Sequence, residues 1–239
     1  MSWPDCRNTR DLGGLPRRDG VTRSRMLIRS DDLGNLNSDG REAMAAYGVT
    51  TVIDLRSDSE RNGTFDPRFP RTAGENRTVS GVGYVHRALV DDAALKRLGE
   101  AANMYERYLV MLSTRQDAFR DIFTSIADAD GAVVFHCFAG KDRTGLVAAL
   151  LLGLAGVAAE HIAADFSETD VQLASQYELW ISQSAPERQA EMRDELRCPA
   201  DRILGVLDFV ETKWGGIESY LEASGVTAAN IDLLASRLA

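Results

Sequence analysis

One stretch of the chain decides how the rest is interpreted: Val133-Val134-Phe135-His136-Cys137-Phe138-Ala139-Gly140-Lys141-Asp142-Arg143-Thr144-Gly145. Its apolar, β-branched beginning predicts a buried strand, which the chain enters through Asp130-Gly131. Residues 145–154 are apolar on nearly every face, which predicts a buried helix. Ligands of open parallel sheets bind beyond the carboxyl ends of the strands, so the intervening loop, 136–144, is the candidate functional site.

The loop carries a cysteine and an arginine, Cys137 and Arg143, separated by five residues. This spacing lets the chain curl into a cradle of backbone N–H groups that ends at a helix N-terminus, an arrangement that binds a tetrahedral dianion. We therefore expect the phosphate-binding residues to be Phe138, Ala139, Gly140, Lys141, Asp142, Arg143 and Thr144.

The side chains of the loop have separate chemical tasks in this interpretation. The N–H dipoles and the charge of Arg143 favour the thiolate form of Cys137, which is a competent nucleophile. Arg143 can also bind two phosphate oxygens as a fork. Gly140 permits a backbone turn that a side chain would obstruct. Thr144 can donate its hydroxyl to the sulfur, and we expect His136 to orient the loop without acting as acid or base.

Other interpretations of the loop are less specific. A cysteine after an apolar strand is often a small core residue. A nucleotide-binding loop would require glycine at position 135, where the sequence has Phe135. An inactive phosphate-binding module would keep the cradle, whereas an arsenate-reducing enzyme would need further redox cysteines, and neither Cys6 nor Cys198 has suggestive spacing. The string His-Cys-x2-Gly-x2-Arg-Thr-Gly between a strand and a helix favours catalysis by Cys137 and Arg143.

The loop resembles the catalytic loop of the protein tyrosine phosphatase superfamily, in the atypical bacterial tyrosine and dual-specificity branch that includes mycobacterial protein tyrosine phosphatase B. Other segments are similar to elements of the same branch, namely 7–15 to its Asn-x-Arg-Asp-Leu-Gly-Gly element, 52–57 to its Asp-Leu-Arg-Ser strand end, and 201–206 and 215–225 to its C-terminal helices. One departure is Thr9, which stands where the branch usually has phenylalanine. The resemblance covers most of the chain, although only the loop is highly specific.

The resemblance implies a cysteine-dependent phosphatase that acts on phosphotyrosine, and on phosphoserine/threonine or phosphoinositide monoesters, through a phosphocysteine intermediate. The substrate is then a phosphorylated protein or a phosphoinositide, and the product is inorganic phosphate. The branch uses an aspartate at the position of Asp142 as the acid, and Lys141 beside it accompanies the broad substrate range. The alternatives are that Asp142 only braces the loop, or that the acid is Asp54 or one of the pair Asp91-Asp92. The mechanism needs no metal or organic cofactor.

Several residues outside the loop are candidates for supporting roles. Arg10, Asp11 and Arg56 are expected at the mouth of the site, and Asp54, if it is not the acid, is expected to cap a helix or orient an arginine. Many superfamily members carry the acid on a separate Trp-Pro-Asp loop, and Trp3-Pro4-Asp5 has the same three residues. Because this segment lies at the extreme N-terminus, we interpret the match as coincidence.

Strands alternate with helices along the chain, which predicts an α/β fold with a central, mostly parallel sheet flanked by helices. The expected elements are strands at 25–29, 49–55, 82–89 and 132–135, a loop at 57–76, and helices at 38–47, capped by Ser38 and ended by Gly48, at 95–112 and at 116–127. We expect a single domain, 1–239, with a helical C-terminal part from about 159 that Pro186 and Pro199 interrupt. The segment 167–197 is either a lid over the site or an ordinary helical pair.

Composition limits the class of protein further. The formal net charge of −9 disfavours nucleic acid as a partner, because neutralisation of phosphates drives that binding. Three widely spaced cysteines favour free thiols in a reducing compartment. The longest apolar stretch is shorter than the roughly 20 residues of a membrane-spanning helix, and no secretory signal pattern is present. We therefore expect a cytoplasmic location, with signal-independent secretion as the alternative.

Overall fold

The strand that leads into the candidate loop lies in the middle of a five-stranded sheet in the computed structural model, which describes residues 3–63 and 81–239. The strands of this described part are β1 (Arg10–Asp11), β2 (Pro16–Arg17), β3 (Gly20–Val21), β4 (Leu27–Ser30), β5 (Val49–Asp54), β6 (Gly83–His86) and β7 (Ala132–His136). The strands β2 and β3 form a small hairpin apart from the main sheet.

The order of the strands across the main sheet is β1-β4-β7-β5-β6. The central strand β7 is parallel to both of its neighbours, β4 and β5, and β6 is parallel to β5. The two-residue edge strand β1 is antiparallel to β4. The expected α/β fold with a mostly parallel central sheet is confirmed.

Helices cover the sheet and make up most of the remaining structure. Those in the described part are α1 (Ser38–Tyr47), α2 (Asp58–Arg61), α3 (Asp92–Leu98), α4 (Met104–Thr114), α5 (Gln116–Asp128), α6 (Asp142–Leu154), α7 (Ala159–Gln172), α8 (Ala174–Gln183), α9 (Gln189–Leu196), α10 (Ala200–Trp214), α11 (Ile217–Ala223) and α12 (Ala228–Arg237). Within the same residues, none of the helices is both long and apolar enough to cross a bilayer.

The two faces of β7 contribute to different cores. Val133 and Phe135 belong to the larger core, which also contains the buried side chains of α4, α5, α6 and α7. Val134 belongs to a smaller core on the opposite face, together with Trp3 and with Met44 of α1. Because side chains alternate along a strand and both faces are covered, the strand is apolar at successive positions.

The parallel strands end at one level of the sheet. Ser30 and Asp54, the last residues of β4 and β5, both pair with His136 at the end of β7, and Asp54 also pairs with His86 at the end of β6. The segments that follow these four strands therefore leave the sheet at the same edge, where the candidate loop leads into α6.

Several of the expected strands and helices differ from the structure in a bound or in a cap, and a capping side chain explains three of these differences. Asn37 rather than Ser38 caps α1, because its Oδ1 accepts a hydrogen bond of 2.9 Å from the backbone of the helix. The expected helix at 95–112 is divided, since α3 ends before Gly99 and Asn103 caps α4. The expected loop at 57–76 contains α2, which Ser57 caps, and its remainder from 64 onward lies outside the described residues.

We predict that Asn37→Ala lowers the free energy of unfolding by about 1 kcal/mol, because alanine leaves the first turn of α1 without a side-chain acceptor. Ser38→Ala, the matched control at the neighbouring position, should change stability by less than about 0.5 kcal/mol. Urea denaturation of both variants measures the difference, and a larger effect at Ser38 would contradict this assignment of the cap.

Candidate active site

The candidate loop lines a cavity of about 280 Å³ beyond the end of β7. From the loop itself, Cys137, Phe138, Ala139, Lys141, Asp142 and Arg143 face this cavity. From other parts of the fold it is lined by Glu60, Leu95, Trp180, Met192 and Leu196. The structure thus brings together the predicted cysteine, arginine and aspartate, with an apolar wall opposite them.

Two carbonyls of the loop are held from behind by side chains that lie far away in the sequence. The Nδ2 group of Asn8 donates to the carbonyls of Ala139 and Gly140, each at 3.0 Å. A terminal nitrogen of Arg29 donates to the Gly140 carbonyl at 2.7 Å. Arg29 is fully buried, and its charge is compensated by Asp165, whose Oδ2 lies 2.6 Å away.

The carbonyls of the three preceding residues, 136–138, also accept hydrogen bonds. The His136 carbonyl accepts from the backbone N–H of Leu55 at 2.8 Å, and the Phe138 carbonyl accepts from that of Asp32 at 3.2 Å. The Nδ1 atom of His136 donates to the Cys137 carbonyl at 3.2 Å, so the ring is in hydrogen-bond contact with the loop backbone. In a planar trans peptide the N–H points opposite to the C=O, so carbonyls held outside leave the loop amides turned toward the cavity.

The turn of the loop requires glycine at position 140. Gly140 has a φ of +64°, in the left-handed region where other residues are strained. A Cβ atom there would also lie 2.5 Å from the carbonyl oxygen of Ser30. The loop therefore packs its backbone directly against the end of β4, a contact that leaves no space for a side chain at this position.

Arg143 is held by the carboxylate of Glu60, a partner that no sequence pattern pointed to. Its two terminal nitrogens donate to the two carboxylate oxygens of Glu60, at 2.5 and 2.7 Å. Burial raises the pKa of Glu60, but the charge of Arg143 and its hydrogen bonds outweigh this effect, so the pKa lies below the ordinary value. The sequence feature that could have drawn attention to Glu60 is the capping box of α2, in which Ser57 and Glu60 cap each other's backbone.

Asp142 begins α6 and is held by two donors. The hydroxyl of Tyr108 donates to its Oδ1, and the Nζ of Lys141 lies 3.1 Å from the same oxygen. Burial opposes ionisation of Asp142, but the charge of Lys141 and the hydrogen bond from Tyr108 outweigh it, so its pKa lies below the ordinary value. About 29% of the side chain remains exposed toward the cavity.

The helices α8 and α9 form the apolar wall over the loop. The ring of Trp180 in α8 packs on that of Phe138, with centroids 6.0 Å apart, and Met192 and Leu196 of α9 line the cavity beside it. Lys141 is almost fully buried, and its Nζ donates to the carbonyl of Glu195 at 2.6 Å. The segment expected to be a lid or a helical pair therefore contacts the loop directly.

Asp54, the alternative acid, does not line the cavity. It is fully buried behind the loop, where it accepts hydrogen bonds from Arg56 at 2.6 and 2.9 Å and from Tyr84 at 2.7 Å. Burial raises its pKa, but the nearby His136 and the charge of Arg56 lower it below the ordinary value. Its position fits the alternative of an arginine-orienting carboxylate. Arg56 is also buried, because it joins Asp54 to Asp32 rather than lining the mouth of the site as expected.

The other expected mouth residues also lie elsewhere. Arg10 donates to Asp165 at 2.7 Å beneath the loop, because the same carboxylate that neutralises Arg29 attracts it. Asp11 accepts from the backbone of Gly13 at 2.8 Å and from the hydroxyl of Tyr47, so it stabilises a turn away from the cavity. Neither residue lines the described cavity.

The remaining candidate residues from the sequence cap helices, form ion pairs or pack in the core. Asp91 caps α3 and pairs with Arg115, Asp92 accepts from Ser59, and Trp3 is a buried core residue. None of the three lines the cavity. Thr144 is fully buried beside the loop, and its Oγ1 has no hydrogen-bond partner among the described residues.

The comparisons with known proteins agree with this geometry. A sequence model of the tyrosine phosphatase family matches residues 1–239. A tyrosine-protein phosphatase of Nostoc commune is 33% identical over 222 residues, which cover 89% of this chain and 74% of that protein. The triple specificity protein phosphatase PtpB of Mycobacterium tuberculosis is 28% identical, with 96% of this chain and 95% of that protein covered.

Among solved structures, that of TpbA from P. aeruginosa aligns with 86% of this chain and 89% of its own, at 16% identity and a TM-score of 0.37, too remote a likeness to carry an argument. The match to the family extends over the full sequence and includes the loop with its cysteine and arginine. The chain therefore belongs to the tyrosine phosphatase family, and it is a phosphate-monoester hydrolase of the protein-tyrosine-phosphatase type.

Proposed function

We propose that this phosphatase works through a phosphocysteine formed on Cys137. One observation carries the proposal: Cys137 and Arg143 line the same cavity, at the end of the central strand, on a loop whose carbonyls are held by donors outside that cavity. A dianionic phosphate bound there would meet the N–H groups, the guanidinium and the positive end of α6 together.

The reaction has two steps in this proposal. The Cys137 thiolate attacks phosphorus, an S–P bond forms, and the bond from phosphorus to the leaving oxygen breaks as Asp142 transfers its proton to that oxygen. Water then attacks the phosphocysteine, Asp142 takes up a proton from the water, and the S–P bond breaks to release inorganic phosphate. Arg143 and the loop amides stabilise the charge on the transferring phosphoryl group in both steps.

We propose phosphotyrosine as the principal substrate, with phosphoserine/threonine and phosphoinositides as further classes. The apolar wall of Leu95, Trp180, Met192 and Leu196 offers an aryl ring contacts that a serine side chain cannot make. The name of the mycobacterial relative, a triple specificity protein phosphatase, supports a wider range. Lys141, whose ammonium contacts Asp142 and the Glu195 carbonyl, adds positive charge beside the loop for such anionic substrates.

The nucleophile is tested by Cys137→Ser. We expect this variant to lose turnover of phosphotyrosine, because a serine hydroxyl lacks an adjacent base and is a weak nucleophile, yet to keep its affinity for inorganic phosphate. Steady-state kinetics and phosphate titration by calorimetry measure the two properties. Cys6→Ser, the matched control at a half-buried thiol outside the cavity, should keep full activity. Undiminished turnover by Cys137→Ser would exclude the phosphocysteine.

The acid is tested by Asp142→Asn. General acid catalysis contributes roughly 10²- to 10⁴-fold, so kcat/KM for phosphotyrosine should fall by a factor in that range. Phosphoserine should lose at least as much, because its alkoxide is a poorer leaving group. Rates with phosphotyrosine, phosphoserine and a phosphoinositide are compared between variant and wild type. An unchanged rate with all three would remove Asp142 as the acid.

The two hydrogen bonds from Arg143 to Glu60, called here the arginine clamp, are tested by Glu60→Gln. Glutamine retains an acceptor for the α2 cap but presents an amide to Arg143 in place of one carboxylate oxygen, so one of the two hydrogen bonds that fix the guanidinium is lost. Because the misplaced guanidinium binds phosphate less well, we expect the inhibition constant of inorganic phosphate to rise roughly tenfold. Asp58→Asn, on the exposed side of the same helix, is the control and should leave the constant unchanged. Equal constants in all three proteins would show that the clamp does not contribute to phosphate binding.

A further inference from the structure

The two oxygens of the Asp142 carboxylate have different surroundings. Oδ1 accepts the hydroxyl hydrogen bond of Tyr108 and lies 3.1 Å from the Lys141 ammonium. Oδ2 accepts no hydrogen bond from any residue that the structure describes, although Asp142 lines the cavity. Donors from the fold therefore bind Oδ1, and Oδ2 is left available to a group bound in the cavity.

Tyr108 is fixed where it contacts Asp142. Its side chain is fully buried in α4, and its ring meets that of Phe166 edge to face, with centroids 6.3 Å apart. The helix is anchored a turn later, where the hydroxyl of Tyr220 donates to the carbonyl of Leu112 at 3.1 Å. The Tyr108 hydroxyl thus comes from an anchored helix, whereas the Lys141 ammonium is shared between Oδ1 and the carbonyl of Glu195.

We propose that Tyr108 is a positioning residue for the acid: it holds Oδ1 of Asp142, so that Oδ2 is the oxygen that gives the proton to the leaving group and later takes one from water. This inference rests on the proposed function, in which Asp142 is the acid. Tyr108 itself keeps its proton throughout, since burial and the charge of Asp142 raise its pKa well above the ordinary value.

The hydrogen bond from Tyr108 has an electrostatic effect that can be measured. A donor to a carboxylate stabilises the ionised form, so removal of the hydroxyl raises the pKa of Asp142. The other charged or titratable groups around this carboxylate are unchanged by that removal; they are Lys141 and Arg143 in the loop, Tyr177 in α8, Cys198 before α10, and Arg202, which faces Tyr108 from α10.

The test compares Tyr108→Phe with Tyr220→Phe, which removes an equally buried hydroxyl that anchors the same helix but lies outside the cavity. The substrates are phenyl phosphate, a poor leaving group, and 4-nitrophenyl phosphate, a good one. For Tyr108→Phe we expect kcat/KM to fall roughly tenfold with phenyl phosphate, as for a small misplacement of a catalytic group, and clearly less with 4-nitrophenyl phosphate. Tyr220→Phe should affect both substrates equally.

The pH profile supplies the second readout, with Asp142→Asn as the reference. The alkaline limb that Asp142→Asn removes should move to higher pH in Tyr108→Phe, because the acid stays protonated longer, and should not move in Tyr220→Phe. Equal losses with both substrates and an unmoved limb in Tyr108→Phe would overturn the positioning role while Asp142 remains the acid. No dependence on the leaving group in Asp142→Asn itself would instead reject the acid assignment, and with it the role of Tyr108.

Discussion

The anchoring of the loop carbonyls is the constraint on which the rest of the site depends. Five successive carbonyls, from His136 to Gly140, accept hydrogen bonds from donors outside the cavity. A buried carbonyl without a donor is costly, so this conformation of the loop is stable only while those donors are present. In the proposed mechanism, the loop amides are directed toward the substrate phosphate by hydrogen bonds made on the far side of the loop.

Buried pairs of arginine and carboxylate are a second feature of the site. The arginines at the site are each neutralised by a carboxylate in the fold: Arg29 by Asp165, Arg56 by Asp54 and Asp32, and Arg143 by Glu60. A buried pair of this kind contributes little net stability, but the loss of one partner leaves an uncompensated charge. These pairs therefore act mainly by fixing the orientation of each guanidinium, and for Arg143 the two hydrogen bonds to Glu60 set the plane of the group at the cavity.

The sequence predicted the parts of the site that are local. The strand β7, the loop and α6 are contiguous, so apolar patterning and the spacing from Cys137 to Arg143 are sufficient to identify them. The side chains that hold the loop carbonyls from behind were not predicted. Asn8 and Ala139, for example, are 131 positions apart, and no pattern in one sequence joins them. Arg10 and Asp11 were expected at the mouth for the same reason: their charge is visible in the sequence, whereas their partners Asp165 and Tyr47 are determined by packing.

The contact between Asn8 and the loop couples the segment before β1 to the conformation of the candidate catalytic loop. The single amide group of Asn8 donates to two of the five anchored carbonyls. A substitution that displaces this segment therefore removes two hydrogen bonds from the loop without changing any side chain that lines the cavity. A loss of activity at such a position reports on the conformation of the loop and not on a missing catalytic group.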